Sequence, residues 1–171
     1  MALSLRRADL AVLEAAVAGD EPLGEMLGAE VLAGWAGFPE ALPALRDAAP
    51  AAVAPPDRPH WGTHLMVVGP PDTVVGLCGF YGPPNPEGTV EIGYAVAPAR
   101  RGQGLATEAA RLLLDEAAAA GVEAVDAHTL AEPNASTAVL EHLGFRRIAT
   151  QPDPEHGDVW HWRRYVGRAS T

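Results

Sequence analysis

A chain of 171 residues is long enough for one domain with a sizeable core. Hydrophobic residues make up 48% and charged ones 20%, the balance of a globular protein and not of a disordered chain. The net charge of −10 argues against a nucleic-acid partner, whose phosphates need a basic face; the single cysteine, Cys78, excludes an internal disulfide, and no Cys/His cluster has zinc spacing, so no metal is expected.

Leu3 to Arg7 reads as a first strand. Arg6-Arg7 ahead of Leu10 to Ala18 has the outline of a signal peptide. Asp9 and Glu14 interrupt that apolar stretch, however, and Leu10, Leu13 and Val17 fall at helical spacing, so an amphipathic helix over Ala8 to Ala18 is expected, closed by Gly19. Leu23 to Trp35 reads as a second helix interrupted by Gly24, Gly28 and Gly34, and Leu42 to Ala49 as a short third one. Pro50 to Pro59, rich in proline and alanine, reads as a loop. His64 to Val68, Thr73 to Tyr81 and Thr89 to Val96 are apolar runs separated by proline- and glycine-bearing turns, the pattern of an antiparallel meander.

A helix comes next, opened by Arg100-Arg101-Gly102-Gln103-Gly104 and running to about Ala120, with Ala106, Ala109, Ala110, Leu113 and Ala117 on one stripe. It leads to a strand over Val122 to Thr129, which a helical crossover makes parallel to Thr89–Val96. Asn134 to His142 is a short helix, and Phe145 to Thr150 and Asp158 to Val166 are the last strands, joined by the polar loop Gln151 to Gly157. The sum is a single α/β domain over residues 1–171, a mixed sheet of six or seven strands with about four helices. No run is long enough to span a bilayer, so no membrane partner and a cytoplasmic location are expected.

The chemistry concentrates in Val90 to Thr107, VEIGYAVAPARRGQGLAT. A buried-type strand is stopped by Ala97-Pro98, and Arg100-Arg101-Gly102-Gln103-Gly104 then opens a helix. A glycine-rich turn at a helix N-terminus exposes N–H groups with no intrahelical partner, and with the helix dipole these suit a phosphate. The spacing matches neither G-x-G-x-x-G nor the P-loop. The pattern present is Arg101-x-x-Gly104-x-Ala106.

This resembles the pyrophosphate motif R/Q-x-x-G-x-G/A of the GNAT family of N-acetyltransferases. Glu91-Ile92-Gly93-Tyr94 upstream, and Asn134-x-Ser136 with Leu143-Gly144-Phe145 downstream, resemble its RimJ/RimL-like branch, which acetylates ribosomal-protein N-termini. The likeness is dense from about Gly76 to Phe145. It implies the family fold, acetyl-CoA as co-substrate and an amine acceptor, either a protein α-amino terminus or a small cationic molecule. An α-amino group, with a pKa of about 7.7–8.0, is easier to deprotonate than a lysine. The oligomer is left open between monomer and homodimer.

The resemblance also implies roles. The backbone of Gly102, Gln103, Gly104, Leu105, Ala106 and Thr107, with Arg101, corresponds to the diphosphate site. Ala95 to Ala97, centred on Val96, corresponds to the strand that holds the pantetheine arm and aims an N–H at the thioester. Glu91 corresponds to the general base, acting through a water. Leu140 stands where many members carry a tyrosine acid, and Ser136 is the substitute. Asn134 either touches the pantetheine arm or caps its helix. Trp35, Phe38, Trp61, Phe80 and Tyr81 are candidates for walls of the acceptor pocket or for core, and His128 lies near the cleft by topology. A non-catalytic acyl-CoA sensor is the alternative, supported by Leu140 and opposed by Glu91 and Ser136.

Overall fold

A computed structural model of the chain describes residues 2–52 and 58–167. Within them, one eight-stranded sheet runs in the order β1 (Ala2–Arg7), β3 (Thr63–Gly69), β4 (Thr73–Phe80), β5 (Thr89–Val96), β6 (Ala124–Leu130), β8 (Gly157–Tyr165), β7 (Arg146–Asp153). The two-residue strand β2 (Glu30–Val31) pairs parallel to β4. The five α-helices are α1 (Leu10–Ala18), α2 (Asp20–Leu27), α3 (Leu42–Ala52), α4 (Leu105–Ala119) and α5 (Ala135–His142). The expected meander β3–β4–β5 and the parallel step from β5 to β6 across α4 are both present.

Three expectations change. The helix expected over Leu23 to Trp35 begins earlier and ends sooner. Asp20 and Glu21 lie in its first turn, where carboxylates suit the helix dipole, and Gly28 stops it in the left-handed region at φ +63°. The chain then enters β2, which adds a strand beyond the expected count, as α2 to α5 with α1 add a helix. The loop expected over Pro50 to Pro59 is helical as far as Ala52, and residues 53–57 lie outside the described residues. The loop expected after Thr150 is sheet to Asp153, because β7 and β8 form one long hairpin.

Strand alternation gives the sheet two apolar faces. Met66, Ile92, Val125 and Leu140 pack with Leu113 of α4 on one side. Leu65 and Val74 pack with Leu13, Leu23 and Trp35 on the other, under α1 to α3. The small residues Ala109, Ala110 and Ala117 let α4 lie close on the sheet. Cys78 is buried in the first core and its thiol is pushed up to about 12 by burial, so it packs as an inert hydrophobe.

One buried histidine tests the fold by pH. His64 is 1% exposed, and its Nε2 lies 3.7 Å from Glu116 Oε2, with no hydrogen bond on either atom among the described residues. Burial, with the neighbouring His60 adding to it, lowers the His64 pKa from 6.5 to about 4. Below pH 6.5 the unfolded chain therefore binds a proton that the folded one refuses. Stability is lost as pH falls from 6.5 toward 4, by up to about 3 kcal/mol from this group. Glu116, raised by burial, acts in the opposite sense, but it is partly exposed and its share is smaller. The urea midpoint is expected to drop between pH 7 and pH 5, and His64→Leu to flatten that drop; an unchanged slope in the variant contradicts the assignment.

Candidate active site

β5 and β6 pair over three residue pairs only, from Thr89–Ala124 to Glu91–Asp126. Beyond them β6 continues against β8 as far as Leu130, and β5 continues against β4 as far as Val96. The two strands thus part after Glu91. Backbone groups alternate in direction along a strand. The Glu91 carbonyl accepts from the Tyr81 N–H, and the Ala97 N–H donates to the Val75 carbonyl, both on the β4 side. Tyr94 and Val96 therefore turn their backbone groups toward the opening. Of the expected stretch Ala95 to Ala97, Val96 faces the gap, while the Ala97 N–H is held in the sheet. Arg101 Nε donates to the Val96 carbonyl at 3.3 Å and ties the strand end to the glycine turn.

That turn ends in Gly102 and Gly104, both left-handed, at φ +74° and +78°. Gly104 is the N-cap of α4, and no side chain caps the helix. The first helical bond runs from Glu108 N–H to Gly104 O at 3.0 Å, so the N–H groups of Leu105, Ala106 and Thr107 have no partner within the helix. A Cβ built on Gly102 or Gly104 would meet nothing within 4 Å. The fold leaves space in front of these donors. Gln103 Oε1 accepts from Arg100 Nε at 2.8 Å, which orders the turn. Converging N–H groups, a helix dipole and two guanidinium groups suit a diphosphate.

The residues of β5 divide between two faces. Val90, Ile92, Tyr94 and Val96 turn toward α4 and α5, where the Tyr94 hydroxyl lies 3.0 Å from Ser136 Oγ and donates to the Ser136 carbonyl at 3.3 Å. Burial raises the Tyr94 pKa, against a smaller lowering by Ser136, so this phenol holds its proton at neutral pH. Asn134 caps α5: its Oδ1 accepts from Thr137 N–H at 2.9 Å, and Thr137 Oγ1 accepts from Asn134 N–H at 2.9 Å. Its amide nitrogen has no partner among the described residues. Leu140 is fully buried and belongs to the core.

Glu91, Gly93 and Ala95 turn to the opposite face, under α1 to α3. A Cβ on Gly37 would come within 2.6 Å of Ala95 Cβ, and one on Gly93 within 2.5 Å of the Tyr81 hydroxyl, so the Gly37 turn covers Ala95 and the Tyr81 ring covers Gly93. Glu91 Oε1 lies 3.0 Å from His128 Nδ1. Burial raises the Glu91 pKa, with Asp126 adding to it and His128 and His161 opposing it. A carboxylate held above its usual range, yet partly open to solvent, is suited to accept a proton near neutral pH.

Of the five aromatic candidates, Trp35 is core and donates Nε1–H to Asp20 at 3.0 Å, and Phe80 is core with Trp61 packed edge-on at 4.9 Å. Phe38 and Tyr81 are exposed, at 68% and 67%. Sequence reasoning missed the part played by Tyr94, Asp126 and His161. Strand alternation alone places Tyr94 on the face of Ile92. Asp126 and His161 become visible only with the β6–β8 register, which no local pattern announces.

The family model for the acetyltransferase (GNAT) domain matches residues 5–146. No curated protein matches the chain in sequence. Among solved structures, the RimL ribosomal L7/L12 α-N-protein acetyltransferase in complex with coenzyme A is 18% identical with a TM-score of 0.70, over 96% of this chain and 94% of that one. A putative acetyltransferase, yncA, from Salmonella typhimurium with its cofactor acetyl-CoA is 20% identical with a TM-score of 0.65, over 98% and 96%. Mutant forms of the spermidine/spermine N-acetyltransferase SpeG from Vibrio cholerae are 14% identical with a TM-score of 0.67, over 96% and 95%. At these identities the likeness is one of fold.

Proposed function

We propose, because this chain belongs to the GNAT acetyltransferase family, that it moves the acetyl group of acetyl-CoA to a primary amine carrying an apolar side chain, foremost a protein N-terminus. That it is an acetyl-CoA-dependent acetyltransferase follows from the family. The observation that carries the finer reading is the parting of β5 from β6 at Glu91, with the open N–H cradle at one end of the gap and a carboxylate at the other.

Acetyl-CoA supplies an acetyl group activated as a thioester. The N–H groups from Gly102 to Thr107, with Arg101, would hold its diphosphate. The free edge of β5 at Tyr94 and Val96 would take the pantetheine arm as an added strand and present an N–H to the carbonyl oxygen, a contribution of about 3–4 kcal/mol where such a donor is preorganised. Glu91 takes the proton of the acceptor ammonium through a water. Ser136, backed by the Tyr94 hydroxyl, returns a proton to the departing thiolate, which with a pKa near 8.5 needs little help.

A cavity of about 280 Å³ supports the choice of acceptor. Its walls include Ala8, Leu13, Leu45, Trp61, Phe80 and Tyr81, and among the described residues none that lines it is charged. Tyr81 joins it to the base: it lines the cavity, and after burial the nearby Glu91 carboxylate is the second cause that raises its phenol pKa. Among the described lining residues a polyamine would find no carboxylate, whereas an apolar side chain beside the amine would be buried. Burial of one such side chain contributes about 1.5–3 kcal/mol, or at least tenfold in kcat/KM. Thiol release measured across peptides beginning with leucine, phenylalanine, serine or aspartate, and with spermidine, is expected to favour the first two by that margin. Equal rates with spermidine would remove the acceptor assignment, and no release with any amine would remove the catalytic one.

A further inference from the structure

Glu91 has two carboxylate oxygens, and the fold engages one of them. His128 Nδ1 lies 3.0 Å from Oε1, and since an ionised carboxylate only accepts, the bond runs from Nδ1–H. Oε2 has no partner among the described residues. The His128 ring is itself held. It stacks on His161, centroids 4.5 Å apart and planes 19° from parallel. His161 Nε2 donates to Asp126 Oδ2 at 2.6 Å. Arg163 closes the array with Nε on Oδ1 at 2.7 Å and Nη2 on Oδ2 at 3.0 Å. On its outer edge His128 Nε2 lies 3.3 Å from Gln151 Oε1.

The register explains why these groups meet. Glu91 pairs with Asp126 across the last rung of the β5–β6 ladder, and His128 lies opposite His161 and Asp126 opposite Arg163 across β6–β8, so all five share one face. Asp126 is nearly buried; burial alone would raise its pKa, but the hydrogen bonds from Arg163 and His161 outweigh that and hold it ionised. An ionised, bidentate pair in the sheet is a rigid anchor, and stacking passes its orientation on to His128.

We infer that His128, backed by His161, Asp126 and Arg163, is a positioning residue that fixes one oxygen of Glu91 so that the other faces the acceptor amine. The inference rests on the reading of Glu91 as the base. Loss of a hydrogen bond to the charged base is expected to lower activity by about 10–100-fold. The charged and titratable groups that face Glu91 are His128 and Asp126 from β6, His161 and Arg163 from β8, and Tyr81 after β4.

The test is a series of isosteres, each measured for kcat, for KM of both substrates and for its pH profile. Asparagine places an amide N–H near the position of Nδ1, glutamine near that of Nε2, and leucine offers none. His128→Asn is expected to keep kcat within about threefold, while His128→Gln and His128→Leu lose about 10–100-fold with the acetyl-CoA KM unchanged. The acid limb of kcat/KM moves to higher pH in His128→Leu, because the ionised carboxylate has lost a donor, and stays in place in His128→Asn. In a Glu91→Gln background, His128→Leu is expected to cost nothing further. Equal losses in the asparagine and leucine variants, or an unaffected His128→Leu beside a crippled Glu91→Gln, would overturn the positioning role alone. A Glu91→Gln enzyme with full turnover would overturn the base assignment and this role with it.

Discussion

Gly104→Glu is expected to abolish measurable acetyl-CoA binding while leaving the chain folded. Both halves follow from the same geometry. The φ of +78° at Gly104 strains any L-residue, at roughly 1–2 kcal/mol, which a domain of this size survives. A Cβ there meets nothing within 4 Å, so the root of the new side chain forces no repacking. It does stand in front of the unpartnered N–H groups of Leu105, Ala106 and Thr107, and its carboxylate repels a diphosphate. Each hydrogen bond to a charged group contributes about 1.5–3 kcal/mol, so losing two lowers affinity by at least about a hundredfold. Calorimetric titration with acetyl-CoA, beside circular dichroism and a thermal midpoint, checks both halves. Near-normal affinity in a folded Gly104→Glu protein would mean that the diphosphate lies elsewhere. Gly104→Ala, with the strain but without the charge, is expected to lie between the two.

The second large effect is expected at Glu91. Glu91→Gln keeps the shape of the side chain and the bond to His128 but cannot take a proton. General-base groups contribute about 10²–10⁴-fold, so kcat is expected to fall by that order. Acetyl-CoA affinity is expected to hold, since Glu91 lies on the opposite face of β5 from Tyr94 and Ser136 and at the other end of the gap from the glycine turn. The pH dependence carries a sign. Burial raises the Glu91 pKa, so kcat/KM should fall on the acid side with a midpoint above the ordinary carboxylate range, and the variant should lose that limb. A variant that keeps the limb assigns it to another group, and one that keeps kcat has lost no base.

Much of the fold is legible in the residues because it rests on local rules. The β5 span Thr89–Val96 and the start of α5 are announced by an apolar run and by Asn134, whose side chain caps the helix it precedes; α1 starts at Leu10, two residues after the expected Ala8, because Asp9 caps the helix from outside it. The two roles open to Asn134 are not separable from sequence; the capping box engages its Oδ1 and leaves its amide nitrogen for other use. The bounds of α2 are not legible either, because Gly24, Gly28 and Gly34 punctuate a run of otherwise good helix formers that continues past the helix end, and pairing of Glu30–Val31 with β4 settles the matter at long range.

The cradle is the most local feature of all. Gly102, Gly104 and a helix start are neighbours in the chain, so backbone conformation alone exposes the donors, and spacing is enough to find them. The base and its surroundings are of the other kind. Glu91 belongs to a strand that any reading identifies, but that its carboxylate meets His128, and His128 in turn His161 and Asp126, depends on a register between strands more than thirty residues apart. The same is true of the opening itself: nothing in Val90 to Val96 says where β6 stops running beside it. Composition and periodicity act over a few residues and determine elements and turns; hydrogen-bond pairing and core packing act across the chain, and they alone decided which side chains share a face and where the sheet comes apart.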